Sequence, residues 1–183
     1  MNFIIHFYLT HFLSDYPFQS SALVKLKQER YLGVFIHSSV HLVSMLVILS
    51  PLLHDVRAWY AIAIVYITHN IIDQTKVALD KADPKHLRLF YFLDQFLHWG
   101  IIFGASILIN NVQPSLTGNL LDFYMNKEIF LFMLIFVLAT YFYDVTRYFI
   151  RLKTNKPFKR DYNTMCRNGL IVTAAFAVYW VLY

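Results

Sequence analysis

The chain holds a single cysteine, Cys166, in 183 residues. With no partner it excludes a disulfide scaffold and a thiolate metal cluster, and it reads as a packing residue. Glycine and proline are scarce, five of each, which excludes collagen-like and flexible low-complexity chains. Charge is thin as well, 15% of residues, where a soluble domain carries about 25%. What fills the space is apolar and aromatic: 58% hydrophobic residues, with seventeen Phe and thirteen Tyr. Such content excludes disorder. The net charge of +5 signals nucleic acid only on the basic face of a soluble body, so no nucleic-acid partner is expected. The length suits one domain. These numbers leave an all-α polytopic membrane helix bundle, with residues 1–183 as a single integral membrane domain.

A membrane-spanning helix needs about 20 apolar residues, because it rises ~1.5 Å per residue through ~30 Å of hydrocarbon. Six spans are predicted: Phe3 to Leu23, interrupted by Asp15 and Pro17, then Tyr31 to Leu53, Trp59 to Ala78, Leu87 to Ile109, Ile129 to Ile150 and Met165 to Tyr183. The connection Asn110 to Glu128 holds Pro114 and Gly118 and reads as a loop with an interfacial turn. The first segment lacks a basic leader and a small-residue cleavage site, so it is expected to be a structural helix and not a signal peptide.

Lys25, Lys27 and Arg30 follow the first span, Lys81, Lys85 and Arg88 the third, and Arg151, Lys153, Lys156, Lys159 and Arg160 the fifth. The opposite connections offer only Arg57 and Lys127. Basic residues favour the cytoplasmic side, so both termini are expected outside the cytoplasm, in a bacterial cytoplasmic (inner) membrane. The basic clusters read as orientation signals touching anionic membrane lipid. Trp59, Tyr60, Trp180 and Tyr183 form an outer interface belt. His6, His54 and His86 lie at span ends or loops, where no site is expected.

Ionisable residues inside a bilayer face a bundle interior or cavity. Here they recur four apart: His11 and Asp15, His37 and His41, His69 and Asp73, Asp94 and His98. Residues at that spacing share one helix face. Gln19 and Lys76 extend two of the stripes, and Asp144 and Arg147 add an i, i+3 pair. Counted from the basic ends, His37, Asp73, Asp94 and Asp144 lie roughly 8–12 Å deep, with His41, His69 and His98 one turn deeper. Matching depths on helices of alternating direction predict one site. Imidazole and carboxylate suit Zn²⁺, Mn²⁺ or Fe²⁺ without sulfur, and bundles build metal sites from facing helices. The predicted metal ligands are His37, His41, His69, Asp73, Asp94 and His98. Lys76 and Arg147 would hold an anionic, lipid-like substrate as fixed positive charges. Asp15 or Asp144 would serve as general base to a metal-activated water.

The motifs His11-Phe-Leu-Ser-Asp15-Tyr-Pro-Phe-Gln19, His37, His69-Asn-Ile-Ile-Asp73-Gln-Thr-Lys76 and Asp94-Gln95-Phe-Leu-His98 resemble the bacterial domain-of-unknown-function 3307 family over roughly the first hundred residues. The resemblance implies a small polytopic membrane protein. The motifs are more distantly similar to those of membrane-bound metal-dependent hydrolases. His11, Gln19 and Gln95 are expected to support the ligands from behind.

Three functions remain open on these residues: a metal-dependent hydrolase of a lipid or lipid-linked phosphate or ester, a transporter or substrate-binding membrane subunit that binds a cation or proton, and a non-catalytic component in which the polar cluster fixes helix packing.

Overall fold

The computed structural model describes residues 3–151 and 158–182. Lys153, Lys156 and Tyr183 lie outside them. Nine α-helices follow one another, and no strand occurs among the described residues: α1 Ile4–Asp15, α2 Ser21–Glu29, α3 Tyr31–Ile48, α4 Val56–Ala82, α5 Leu87–Leu108, α6 Gly118–Met125, α7 Lys127–Val137, α8 Tyr143–Ile150 and α9 Tyr162–Leu182.

The segment predicted as the first span is two helices. Pro17 restricts the residue before it and disfavours a continuing helix, and α1 stops at Asp15. Ser20 then opens α2 by accepting from Leu23 N at 3.2 Å, an N-cap. The twelve residues of α1 rise only about 18 Å, short of the ~30 Å of a hydrocarbon core. Yet α1 is the central element. It packs on α3, α5 and α7, and His6, Phe7, Leu9, Thr10, His11, Phe12 and Ser14 are buried.

By contrast α2 buries none of its residues and lies against α3. Arg30 is extended between them (ψ 144°), and the last turn of α2 meets the first turn of α3. A Cβ on Gly33 would collide with the Leu26 carbonyl group, so only glycine permits this approach.

Asp55 caps α4 by accepting from Arg57 N at 2.9 Å. The expected loop after α5 contains α6, entered through Gly118 at φ +60°. This end of the bundle is tied by Ser115 N donating to Pro51 O at 2.8 Å and by His6 Nε2 against Tyr124 O at 3.1 Å. His6, expected to be incidental, is therefore a buried packing residue whose ring lies 3.9 Å from that of Phe130. At the opposite end Arg88 Nε donates to Phe149 O at 3.1 Å.

A π-turn, Leu138–Phe142, joins α7 to α8. Such turns release a carbonyl from the helical ladder, and here Asn168 Nδ2 on α9 donates to Ala139 O at 2.8 Å. The turn sets the Phe142 ring edge-on to Phe12 and Tyr16, at 5.3 and 5.5 Å, beside the end of α1.

The outward faces are apolar, with Val43, Phe96, Phe103, Leu170 and Val181 exposed. Large exposed apolar area of this kind marks a membrane or partner surface. Among the described residues three helices are long and apolar enough to cross a bilayer: Tyr31–Ile48, Lys127–Ile150 through the π-turn, and Tyr162–Leu182. That is three of the six spans predicted. With 27 and 22 residues, α4 and α5 have the length, but the polar side chains they turn inward dilute their apolar content.

Candidate metal centre

Asp15, the last residue of α1, reaches the face of α3 that carries His37 and His41. Its Oδ1 accepts from His41 Nε2 at 2.9 Å and from His37 Nε2 at 3.0 Å. His69 Nε2, from α4, lies 4.0 Å from the same oxygen. Donor atoms of Asp15, His37, His41 and His69 all lie within 4.8 Å of one another. A second group, His69, Asp73 and His98, meets the same limit. The two groups share His69, and Asp73 Oδ2 sits 3.5 Å from His37 Nε2 and 3.6 Å from His69 Nε2. The rings of His41 and His69 are 3.8 Å apart by centroid, and those of His69 and His98 are 4.3 Å apart.

Every imidazole of the cluster is at most 3% exposed. Burying a polar atom without a hydrogen bond is costly, yet among the described residues neither ring nitrogen of His69 has a hydrogen-bond partner, nor does His98 Nε2 or Asp94 Oδ1. Nitrogen and carboxylate donors converging with unmet lone pairs are what a borderline divalent cation takes. These buried groups can hold a metal ion.

The surrounding residues orient the rings as ligand supports do. His98 Nδ1 donates to the Asp94 carbonyl at 2.8 Å, which leaves the lone pair on Nε2. Gln19 Nε2 lies 3.0 Å from His37 Nδ1; its amide can present nitrogen or oxygen, as the ring's protonation requires. Gln95 Nε2 donates to Asp94 Oδ2 at 3.0 Å and its Oε1 accepts from Tyr16 Oη at 3.0 Å. Tyr16 Oη meets Tyr91 Oη at 3.2 Å, and Tyr91 Oη meets Thr146 Oγ1 at 2.8 Å. His11 Nε2 lies 3.3 Å from Asp15 Oδ2.

The geometry sorts the predicted residues. His37, His41, His69, Asp73 and His98 come together in the two groups. Asp94 stands behind His98 and outside both groups. Asp15, expected as a base, is itself a donor at the centre of the first group. Lys76 pairs with Asp80 at 2.6 Å. Arg147, expected to hold substrate, pairs with Asp161 at 2.6 Å, which ties α8 to the start of α9. Asp144 Oδ1 accepts from Asp161 N at 3.3 Å. Among the described residues no hydrogen bond or ion pair joins Asp144 or Arg147 to either donor group. Outside the spans, hydrogen bonds from Thr164 Oγ1 and N, with Arg147 behind them, hold the Asp161 carboxyl down to about 2. The His86 ring, 2.6 Å away, likewise holds Asp83 below the usual carboxylate range.

Two residues read as orientation signals reach inward instead. Lys27 Nζ lies 2.6 Å from Asp73 Oδ2, with its side chain 15% exposed. Arg160 Nη2 donates to Tyr16 O at 3.1 Å, and its guanidinium lies 5.1 Å over the Tyr141 ring. The signal for Lys27 was the pair Pro17 and Ser20: a helix restarted there folds back beside the site.

The fold and site together define an all-helical protein with membrane-competent helices and a buried His/Asp group able to hold a metal ion. Residues 3–122 match the family described as proteins of unknown function, DUF3307, and the chain belongs to it. The matched residues include both donor groups and end before α7. No curated protein and no solved structure matches the chain, and these comparisons do not bear out the more distant likeness to metal-dependent hydrolases.

Proposed function

We propose that the chain is a multi-pass protein of the bacterial cytoplasmic membrane whose buried centre binds Zn²⁺, Mn²⁺ or Fe²⁺ and hydrolyses a phosphate or ester bond of a lipid or lipid-linked substrate. The observation that carries the reading is the convergence of one carboxylate and three imidazoles, Asp15, His37, His41 and His69, within 4.8 Å. Three or four N/O ligands of this kind leave room for a water that the metal would activate and for a phosphoryl or acyl oxygen that it would polarise. In this reading α3, α4, α5, α7 with α8, and α9 cross the bilayer, while α1 is a half-length helix enclosed by them. The end of the bundle that carries Lys81, Lys85, Arg88 and Arg151 faces the cytoplasm. Lys76 lies on that side of the centre and supplies positive charge for an anionic head group. The supporting roles of His11, Gln19 and Gln95 belong to the same proposal.

The test is turnover in proteoliposomes containing phosphatidic acid and phosphatidylglycerol, reading released phosphate and fatty acid. Release that needs added metal and disappears in Asp15→Asn supports hydrolysis; no release with any of the three metals contradicts it.

A second reading, a cation pathway, is favoured by the polar track Asp94, Gln95, Tyr16, Tyr91 and Thr146, which leads from the centre to α8. It predicts metal flux into the same proteoliposomes, without hydrolysis.

A further inference from the structure

From the exposed helix α2 two lysines diverge. Lys25 stays in solvent, its side chain 77% exposed, 3.8 Å from Glu29. Lys27 goes the other way and sets its ammonium 2.6 Å from Asp73 Oδ2, an oxygen whose side chain is only 5% exposed. That oxygen also faces His37 and His69, at 3.5 and 3.6 Å, and Asp73 is the one carboxylate of the His69–Asp73–His98 group. The other carboxylate, Asp15, meets only imidazoles among the described residues. The two donor groups are therefore unequal: one carboxylate already has a full positive charge on it, and the other is open to an incoming cation.

Like charges repel strongly where water is scarce, and a buried carboxylate that gives up its ammonium must be compensated at once. A metal ion entering through Asp73 has to displace Lys27, whereas one entering through Asp15 displaces only ring protons. The reach of Lys27 depends on the close α2–α3 corner at Gly33, where the Leu26 backbone packs one residue before it.

We infer that Lys27 is a tethered cation that keeps the His69–Asp73–His98 group closed to metal, so that the centre takes one divalent ion, in the Asp15 group, and accepts a second when Lys27 is replaced by an uncharged side chain. This rests on the metal-centre reading above and adds to it a residue that sets the number of ions. His69 is common to both groups, and its Nε2 faces both carboxylates with a single lone pair, so a second ion would draw on Asp73 and His98 and sit beside the first.

The test uses the full chain in detergent, stripped with chelator, titrated with Zn²⁺ and counted by inductively coupled plasma mass spectrometry, with helicity checked by far-UV circular dichroism. Wild type and Lys27→Arg are expected to saturate at one ion per chain, and Lys27→Gln at two. A wild type that saturates at two, or a helical Lys27→Gln that stays at one, overturns the role of Lys27 and leaves the metal centre standing. No ion in wild type or in any variant overturns both. Should Lys27→Gln fail to fold, the wild-type titration still decides, since a second ion there contradicts the inference.

Discussion

Asp15 and His41, 26 residues apart in sequence, are joined at 2.9 Å by a carboxylate oxygen that also receives His37. This junction locks the end of the central helix onto α3 and supplies the open carboxylate of the first donor group. Asp15→Asn keeps the shape and removes the charge. It is expected to weaken metal binding by about 100-fold, at the upper end of what disturbing such a site costs, while the bundle stays helical. Competition with a fluorescent Zn²⁺ chelator measures the change.

Gln19 Nε2 lies 3.0 Å from His37 Nδ1 and 3.2 Å from His37 Nε2, the nitrogen that also faces Asp15. Gln19→Leu removes an orienting partner and leaves every donor atom in place. Metal affinity should fall by roughly 10-fold, with the number of ions unchanged. The same chelator competition reads it, and an unaltered affinity would show that His37 is oriented by packing alone.

Gly33→Ala forces a methyl group into the Leu26 carbonyl. Overpacking of this kind costs about 1–3 kcal/mol, which thermal unfolding in detergent will report as a lower Tm. Because the corner carries Lys27 toward Asp73, the variant should also loosen that ion pair.

Asp161 caps the start of α9, accepting from Thr164 N at 3.1 Å and from Thr164 Oγ1 at 2.7 Å, and its carboxyl is held down to about 2. A depressed folded pKa contributes stability above the unfolded value near 3.9 and loses it as pH falls through the folded one. The Tm difference between wild type and Asp161→Asn should accordingly be constant from neutral pH to about 5 and shrink between about 4 and 2. A difference that vanishes near pH 6 would assign the effect to another group.

The positions that converge were readable because an i, i+4 pair in an apolar helix has only one face to share: His37 with His41 and His69 with Asp73 met as their spacing required. Three features were not readable. The break at Pro17 was visible as an interruption, but the sequence does not state that the chain after it returns as a separate helix, and so Lys27 counted as a loop charge. Arg147 stood one turn from Asp144, whereas its partner Asp161 lies across the connection to α9, a contact that only the tertiary packing of α8 and α9 creates. The π-turn at Leu138–Phe142 leaves no periodic trace, since its carbonyl is taken up by Asn168 from a different helix.

His69 is the one residue common to both donor groups of the buried His/Asp cluster. Metal content of the purified full chain, wild type beside a helical His69→Ala variant, tests by inductively coupled plasma mass spectrometry whether the cluster binds metal. Wild type is expected to hold a stoichiometric divalent ion that is absent from His69→Ala. A wild-type protein that retains and takes up no ion, or a His69→Ala variant that holds as much as wild type, contradicts it.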